Sequence, residues 1–412
     1  MRAKIKTVSR RLLLFAATTG YQIRVFADAA RRLGMELTLA TDRCNRMDDP
    51  WGDHALAVKF DRVAESLEKL RGLSFDGVAA VADRPAALAA EAAAMLGIPF
   101  HPPAAAHACH DKHAARQLYR AAGMRVPWFT RADFSDDPAR LAASVPYPCV
   151  LKPLGLSASR GVIRANDETE LAAAFHRIGK MGEKQLQIES YIPGREFAME
   201  GLVTRGAFQP IAIFDKPDPL EGPFFEETIY VTPSREPASV QRELLETAAQ
   251  AVRALGLSHG PVHIEMRWNR EGAWVLETAA RPIGGLCAKA LRFSGGLPYE
   301  ELILRHAVGE DVTGARLDGP ASGVMMIPIP KAGVYESVEG VAEAEAAPCV
   351  EEVIVTAQQG QELIRLPEGA TYLGFIFARG ESAEEVETAL RRAHGKLRFQ
   401  IMTALATFRP SG

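Results

Sequence analysis

Two glutamates on a predicted β-hairpin are the residues best placed to do chemistry. The runs VHIEMRW and AWVLETA form its strands and NREG lies between them. A three-residue loop with Gly272 in the left-handed position would pair Asn269 with Ala273. Counting outward from that pair places Glu265 directly opposite Glu277. Carboxylates about 5 Å apart repel unless a positive charge lies between them. Mg²⁺ prefers carboxylate oxygens, so the pattern predicts a magnesium site.

Alternation along the two strands assigns side chains to the two faces of the hairpin. The face that carries the glutamates is predicted to comprise His263, Glu265 and Arg267 on the first strand, and Val275, Glu277 and Ala279 on the second. The alternative is an exposed hairpin whose glutamates are solvated, with arginines as surface partners.

Arg281 and the glycines that follow it favour the site over the exposed hairpin. An arginine fork beside a metal suits a carboxylate or a migrating phosphoryl group. Gly284 and Gly285 allow backbone N–H groups to approach a ligand closely. Together these residues predict that an anionic substrate lies beside the metal.

Two lysines have plausible routes to phosphate. Lys112 lies in the first turn of a predicted helix, where free N–H groups already favour an anion. Lys152 ends the strand YPCVLKP, just before the loop 154–161, whose small residues include Ser157 and Gly161. Either lysine alone could be a solvated surface charge, and the loop matches neither a P-loop nor GxGxxG.

The segment ESYIPGRE is predicted to link two subdomains. Its extended residues, Glu189, Ser190, Tyr191 and Ile192, could offer backbone groups to the edge of a base. Glu196 follows a few residues later and could accept hydrogen bonds from ribose hydroxyls. The alternative is a strand, turn and strand with exposed acids.

The order of elements predicts an α/β and α+β protein of several domains. Residues 12–103 alternate strand and helix, which indicates a βαβ domain with a parallel sheet, and the proline-rich GIPFHPPAAAH ends it. We expect four units: residues 1–104, 105–192, 193–315 with the hairpin, and an α+β domain at 316–412.

Composition points to a compact protein that acts on small molecules. The 412 residues carry a net charge of -3, so no basic field would attract nucleic acid or an anionic membrane. The five cysteines are scattered without a CxxC pair, as in reduced cytoplasmic proteins. The apolar run Leu12 to Ala17 is too short for a secretory signal and is better explained as a buried strand ending at the Thr18-Thr19-Gly20 turn.

The succession of these motifs resembles the ATP-grasp superfamily. A lysine, a lysine with a small-residue loop, Glu-x-Tyr-Ile-x-Gly-x-Glu and then Glu-…-Glu-x-x-x-Arg span about residues 106–307. The later runs GVMMIPIPKAGV and TYLGFIFARGESAEEVETALRRAHGKLRF resemble the C-terminal domain of bacterial L-amino acid ligases. This resemblance implies an ATP-grasp fold with an N-terminal βαβ domain, and an ATP-dependent ligase that makes dipeptides through an acyl phosphate.

The resemblance also implies a role for each motif. ATP phosphates would be bound by Lys112 and Lys152, the ribose by Glu196, and two Mg²⁺ ions, with Mn²⁺ as a substitute, by Glu265 and Glu277. The other nucleotide contacts implied are Ser157, Gly161, Glu189, Ser190, Tyr191, Ile192 and Leu276. Substrates would meet Arg281, the backbone at Gly284 and Gly285, and, at the ammonium and side chain of the first amino acid, Glu227 and Tyr230.

One departure from the family pattern leaves the metal count open. Many members read Glu-x-Asn-x-Arg, whereas Ala279 stands here at the asparagine position. Other readings are a biotin-carboxylase-like enzyme, a ligase for another carboxylate, and a nucleotide-binding regulatory protein without turnover. A nicotinamide oxidoreductase is disfavoured because the turn at Thr18 lacks the glycine fingerprint. The substrates and any homo-oligomer stay open.

Overall fold

The computed structural model describes residues 9–17, 22–42 and 55–403. The predicted Thr18-Thr19-Gly20 turn and Cys44 lie outside these residues. The other four cysteines are free thiols. No helix in the described ranges is long and apolar enough to cross a bilayer.

The N-terminal unit contains a parallel sheet, as predicted, and its described residues form four strands in the order β3-β2-β1-β4. The LLLF run of β1 is fully buried, which explains its uninterrupted apolar sequence. Its elements are β1 (Arg11–Phe15), α1 (Ile23–Arg32), β2 (Glu36–Thr41), β3 (Leu56–Ala57), α2 (Val63–Glu68), β4 (Gly77–Ala80), α3 (Asp83–Leu96) and α4 (Pro103–His110).

The second unit is a small antiparallel sheet with strand order β5-β8-β6-β7. The Asp111 carboxylate caps its first helix by accepting from the N–H groups of His113 and Ala114, which fixes Lys112 at the first helical position. The elements are α5 (Lys112–Ala121), β5 (Phe129–Asp133), α6 (Pro138–Ala142), β6 (Cys149–Pro153), β7 (Ile163–Ala165), α7 (Glu168–Gly179) and β8 (Gln185–Ser190).

An eight-stranded sheet with order β13-β12-β9-β10-β11-β16-β20-β18 forms the centre of the molecule. Its strands are β9 (Arg195–Thr204), β10 (Ala207–Lys216), β11 (Ile229–Thr232), β12 (Gly260–Asn269), β13 (Gly272–Ala279), β16 (Ala321–Ile327), β18 (Val350–Val355) and β20 (Gly374–Gly380). The other elements are α8 (Ala238–Leu255), β14 (Arg292–Phe293), β15 (Leu297–Pro298), α9 (Tyr299–Ala307), β17 (Gly333–Glu339), α10 (Val341–Glu345), β19 (Glu362–Leu363), α11 (Ala383–His394) and β21 (Arg398–Met402).

The central sheet continues across residue 316, the boundary that the sequence suggests for the last domain. Strand β11 pairs with β16 along four residues, so the hydrogen-bond ladder is unbroken between the two regions. The division into four domains stays a prediction, and the backbone joins the last two of them into one sheet.

The N-terminal unit shares a hydrophobic core with the central sheet. Leu12 and Phe26 from the N-terminal unit belong to the same buried cluster as Phe214 and Phe375 from the central sheet. Helix α9 contacts α1 and β4 on one side and β12 on the other. The small sheet of the second unit instead has its own core, formed by β5 to β8, α6 and α7, whereas α5 packs in the core of the central sheet through Ala115 and Tyr119. The cleft lies between this separately packed small sheet and the central sheet.

Gly323 on β16 provides a test of how closely α11 packs against the sheet. A Cβ at this position would lie 2.8 Å from the Tyr230 carbonyl oxygen and 2.8 Å from Val386 Cγ1. The carbonyl belongs to the β11 ladder and cannot move freely. We therefore expect Gly323→Ala to lower the free energy of unfolding by about 1 to 3 kcal/mol in urea denaturation. Gly314→Ala, where a Cβ would meet open space, is the control and should change it little.

Candidate functional site

A cleft lies between the small sheet and the central sheet. The empty space in it is about 870 Å³, adjoining open solvent included. It gathers most of the predicted site residues: Lys112, Lys152, Ser157, Glu189, Tyr191, Ile192, Glu196, Glu227, Glu265, Leu276, Glu277 and Arg281. Its lining does not include Gly161, Ser190, Tyr230, Gly284 or Gly285. Apolar side chains of Val150, Val162 and Phe225 also contribute to the lining, and they suit a flat aromatic ligand.

The hairpin places Glu265 opposite Glu277, which confirms the predicted pairing, but the predicted loop is wrong. Asn269 pairs with Gly272 instead of Ala273, so the loop has two residues. Counting from that pair alone would place Glu265 opposite Leu276. A β-bulge at Leu276 adds one residue to β13 and moves Glu277 into the facing position.

The bulge also corrects the predicted face of the second strand. Val275 was expected beside Glu277, yet it pairs with Met266 and packs in the core, while Leu276 lines the cleft. Arg116 on α5 holds the bulge, because its Nη1 and Nη2 donate to the carbonyls of Val275 and Leu276 at 2.7 and 2.9 Å. Sequence reasoning did not single out Arg116, since nothing local marks its distant partners.

The facing glutamates fit a divalent cation. Both side chains are about a quarter exposed, and both face the cleft. Burial would raise the pKa of Glu265, but the charges of Lys216 and His263 outweigh burial and lower it, so the carboxylate is ionised. Hard anionic oxygens on facing strands are the ligands that Mg²⁺ prefers. Ala279, opposite His263, supplies no further ligand.

A second group of carboxylates, from Glu196, Glu227 and Glu265, is close enough to hold a metal but already surrounds a cation. Their oxygens lie within 4.8 Å of one another. The Lys216 ammonium lies 2.9 Å from Glu196 and 3.8 Å from Glu265, and it also contacts Glu227. Burial lowers the pKa of Lys216, but the three carboxylates outweigh burial and raise it. The lysine is therefore charged and occupies the position a metal would take.

Lys216 is a functional candidate that the sequence did not reveal. It ends strand β10, directly after the buried Phe214 and Asp215. A charged pair at the end of a buried strand is the signal that could have drawn attention to it. Through Lys216, three acids from three different strands or loops are held together at one end of the cleft.

The predicted phosphate-binding lysines, Lys112 and Lys152, also line the cleft. Lys112 Nζ donates to the Leu156 carbonyl at 2.7 Å and lies 3.7 Å from Glu277 Oε2. Lys152 pairs with Glu189. The two lysines thus border the metal hairpin and the small-residue loop, an arrangement suited to a polyphosphate.

The small-residue loop has an unusual backbone. Ala158 and Ser159 both adopt φ near +55°, a region that residues other than glycine rarely occupy. Such conformations persist only where the surroundings impose them. The Gly161 N–H donates to the Pro367 carbonyl at 2.8 Å, so a segment from the C-terminal region holds this loop over the cleft.

Glu189 and Glu196 are more constrained than the sequence suggested. Arg116 and Lys152 both pair with Glu189; burial would raise its pKa, but the two cations lower it to about 2. Lys216 and Arg267 engage both oxygens of Glu196. Both carboxylates are already paired with buried cations. A ribose bound by Glu196, as predicted, would therefore share the Glu196 oxygens with Lys216 and Arg267.

Residues 190–192, which lie between Glu189 and Glu196, differ in whether they line the cleft. The Tyr191 ring stacks on Phe225 with centroids 6.5 Å apart, and both rings line the cleft. Ile192 also lines it, and its carbonyl accepts from Arg267. Ser190 instead pairs with Cys149 inside the small sheet.

Arg281 is fixed by a partner from the N-terminal unit. Its Nε and Nη2 donate to the two oxygens of Asp83 at 2.9 and 3.1 Å, and Nη1 donates to the Pro282 carbonyl. Asp83 begins α3 directly after Ala82, which has φ of 72°. A guanidinium has five N–H groups, so two remain for a ligand. No local pattern marks this pairing, which joins residues almost 200 positions apart.

The remaining predicted substrate residues lie at the edge of the cleft or behind it. A Cβ on Gly284 would meet open space, whereas Gly285, with φ of +61°, packs against Phe375. Glu227 lines the cleft. Tyr230 is 2% exposed in the core, with Lys216 Nζ 5.1 Å above its ring. Any effect of Tyr230 on a substrate would therefore pass through Lys216, in contrast to the direct contact expected from the sequence.

Known protein families and solved structures resemble this chain in sequence and in fold. Residues 145–290 match the ATP-grasp domain, and residues 325–402 match the L-amino acid ligase C-terminal domain 2. The crystal structure of an L-amino acid ligase from Bacillus licheniformis is 25% identical and has a TM-score of 0.81, covering 96% of this chain and 99% of that one.

Two further proteins widen the comparison. A D-alanine–D-alanine ligase from Pseudomonas entomophila is 26% identical over 219 residues, or 51% of this chain and 67% of that protein. A carboxyaminoimidazole ribonucleotide synthase from Aspergillus clavatus, complexed with ATP, shares the fold at 17% identity and a TM-score of 0.69, covering 95% and 99% of the two chains. The chain therefore contains an ATP-grasp domain and an L-amino acid ligase C-terminal domain, the combination expected of an ATP-grasp ligase.

Proposed function

We propose that the protein joins two amino acids into a dipeptide, with ATP converted to ADP and phosphate. The observation that carries this proposal is the meeting of Glu265 and Glu277 with Lys112, Lys152 and Arg281 in one cleft. Two facing carboxylates and three cations suit a metal–polyphosphate complex beside an anionic substrate. The likeness to the Bacillus licheniformis L-amino acid ligase over nearly the whole chain supports amino acids as substrates.

In the first step, an oxygen of the substrate carboxylate attacks the γ-phosphorus of ATP. The bond from that phosphorus to the bridging oxygen breaks, and ADP leaves with the electron pair. Mg²⁺ held by Glu265 and Glu277, with Mn²⁺ as a substitute, would supply charge neutralisation for the transferring group. Lys112 and Lys152 border the phosphate path, and the loop 157–161 limits the access of water.

In the second step, the amine of the other substrate attacks the carbonyl carbon of the acyl phosphate. Phosphate departs, the amine loses a proton, and an amide bond remains. Arg281 has two N–H groups left for the oxygens of the acyl phosphate, and Asp83 fixes the plane in which they lie. The chain contributes positioning and electrostatics and needs no nucleophilic side chain.

Glu227 is the proposed partner of a substrate ammonium group. It lines the cleft close to Glu265, and the Lys216 ammonium holds its carboxyl group in place. Free amino acids and ATP are both cytoplasmic metabolites, and a cytoplasmic location is part of the proposal. The number of metal ions and the identities of both amino acids depend on pocket shape and stay outside the proposal.

The test is phosphate release from ATP and Mg²⁺ with pairwise mixtures of the common amino acids, followed by mass spectrometry. We expect release with particular pairs, together with a product whose mass equals the sum of the two amino acids less water. Release that requires bicarbonate would indicate a carboxylase-like reaction. Tight ATP binding without release in any mixture would indicate a regulatory protein.

Glu277→Gln should lower the rate of phosphate release by about a hundredfold or more, a loss of roughly 2.7 kcal/mol of transition-state stabilisation. The substitution removes the charge that binds metal and preserves the volume of the side chain. Steady-state kinetics at saturating Mg²⁺, with circular dichroism to confirm folding, measure the effect. Turnover close to that of the wild type would exclude Glu277 from the metal site.

Arg281→Lys should lower turnover by about tenfold or more, equivalent to ~1.4 kcal/mol. Lysine preserves the charge but cannot donate to both oxygens of Asp83 while presenting further N–H groups to the cleft. Arg253→Lys, on the solvent side of α8, is the matched control and should leave turnover unchanged. Equal turnover in the two variants would indicate that Arg281 has only a structural role.

A further inference from the structure

Glu200 is a fully buried carboxylate behind the wall of the cleft. It lies in the middle of β9, is 0% exposed, and faces His263 on β12. Its Oε1 is 2.6 Å from His263 Nδ1, and its Oε2 accepts from the Ile283 N–H at 3.1 Å. A buried carboxylate is costly unless its oxygens are paired, and here each oxygen has a different partner.

Each partner of Glu200 leads to a different part of the site. The other ring nitrogen of His263, Nε2, lies 3.5 Å from Oε1 of Glu265. Ile283 directly precedes Gly284 and Gly285, and its carbonyl accepts from Gln22 in the N-terminal unit at 2.6 Å. Glu200 does not itself reach the cleft. It is nevertheless joined to the metal hairpin and to the turn that contains Gly284 and Gly285, called the glycine turn below.

Glu200 and His263 resemble the residues that surround and orient the ligands of metal sites in general. Carboxylates that bind metals are commonly oriented by hydrogen-bonded neighbours, and loss of such a neighbour weakens metal binding. His263 can orient Glu265 only if its own ring is held, and Glu200 Oε1 is placed to hold it. The same carboxylate fixes the start of the glycine turn through the Ile283 N–H.

We propose that Glu200 is a positioning residue that sets the orientation of Glu265 through His263 and the position of the glycine turn through Ile283. The inference rests on the proposed function, in which Glu265 binds a divalent cation, and on the contact between the turn and a substrate carboxylate that the sequence resemblance implies. It predicts that a change at Glu200 alters both metal binding and substrate binding, whereas a change at His263 alters metal binding alone.

Glu200→Gln is the first variant. A carboxamide retains the shape but has one oxygen acceptor and one NH₂ donor, so its NH₂ would face the N–H of either His263 or Ile283. Mn²⁺ is titrated into the protein with ADP present and followed by electron paramagnetic resonance. We expect Mn²⁺ affinity to fall by about tenfold, and the KM of the substrate that supplies the carboxylate to rise. Affinity for ADP in the presence of EDTA should not change.

His263→Gln tests the effect on Glu265 separately from the effect on the glycine turn, because it leaves Glu200 Oε2 bonded to Ile283. It should weaken Mn²⁺ binding without raising that KM, and it tests the proposal even if Glu200→Gln does not fold. Asp215→Asn is the matched control: Asp215 is a buried carboxylate on neighbouring strand β10 whose Oδ2 pairs with Arg235, outside the cleft. It should leave Mn²⁺ affinity unchanged.

Wild-type Mn²⁺ affinity in a folded Glu200→Gln or His263→Gln protein would overturn the inference. An equal loss in Asp215→Asn would also overturn it, by showing a general effect of buried carboxylates on stability. The titration needs no ligation, so it decides this inference even if the wild-type protein forms no dipeptide, an outcome that would contradict the proposed function alone.

Discussion

Matched buried charges hold the cleft together, and the remaining features of the site depend on them. Glu189 joins Arg116 to Lys152, and Lys216 joins Glu196 to Glu227. Removing charges from water costs several kcal/mol per ion, and the mutual attraction repays this only with good geometry. A core of apolar residues would be at least as stable. The charges are therefore better explained by the ligand that the cleft receives than by the stability of the fold.

These charges come from separate parts of the chain, so the cleft forms only when the parts are assembled. Asp83 belongs to the N-terminal unit, Lys152 to the small sheet and Lys216 to the central sheet. The N-terminal unit is fixed to the central sheet by a shared core, and the C-terminal strands extend the same sheet. The small sheet has its own core. Its contacts with the rest of the molecule include the Arg177–Glu368 ion pair and the packing of Phe224 against its core.

Local patterns in the sequence predicted the elements well, and the faces of the second hairpin strand and the long-range pairings poorly. The parallel N-terminal sheet, the helix that carries Lys112 and the existence of the metal hairpin follow from periodicity and turn residues, although the predicted loop of the hairpin was wrong. The bulge at Leu276 does not, because it is stabilised by Arg116, whose partners lie some 160 residues away. The partner of Arg281 escaped prediction for the same reason. The partners of Lys216 are nearer in sequence, but they come from different strands and loops whose convergence no local pattern marks. The union of the last two predicted domains into one sheet depends on a β11–β16 ladder that no local signal marks.

The hairpin shows that two different backbones can present the same pair of residues. A three-residue loop without a bulge and a two-residue loop with a bulge both place Glu265 opposite Glu277. Deletion of Leu276 alone would remove the bulge and leave Glu277 opposite Glu265, because the ladder that starts at Asn269 and Gly272 would then run without interruption. Both backbones have the same number of residues between the two glutamates, so an ungapped sequence alignment of such hairpins keeps both glutamates in register. The loop and strand residues between them are nevertheless not structurally equivalent in the two backbones.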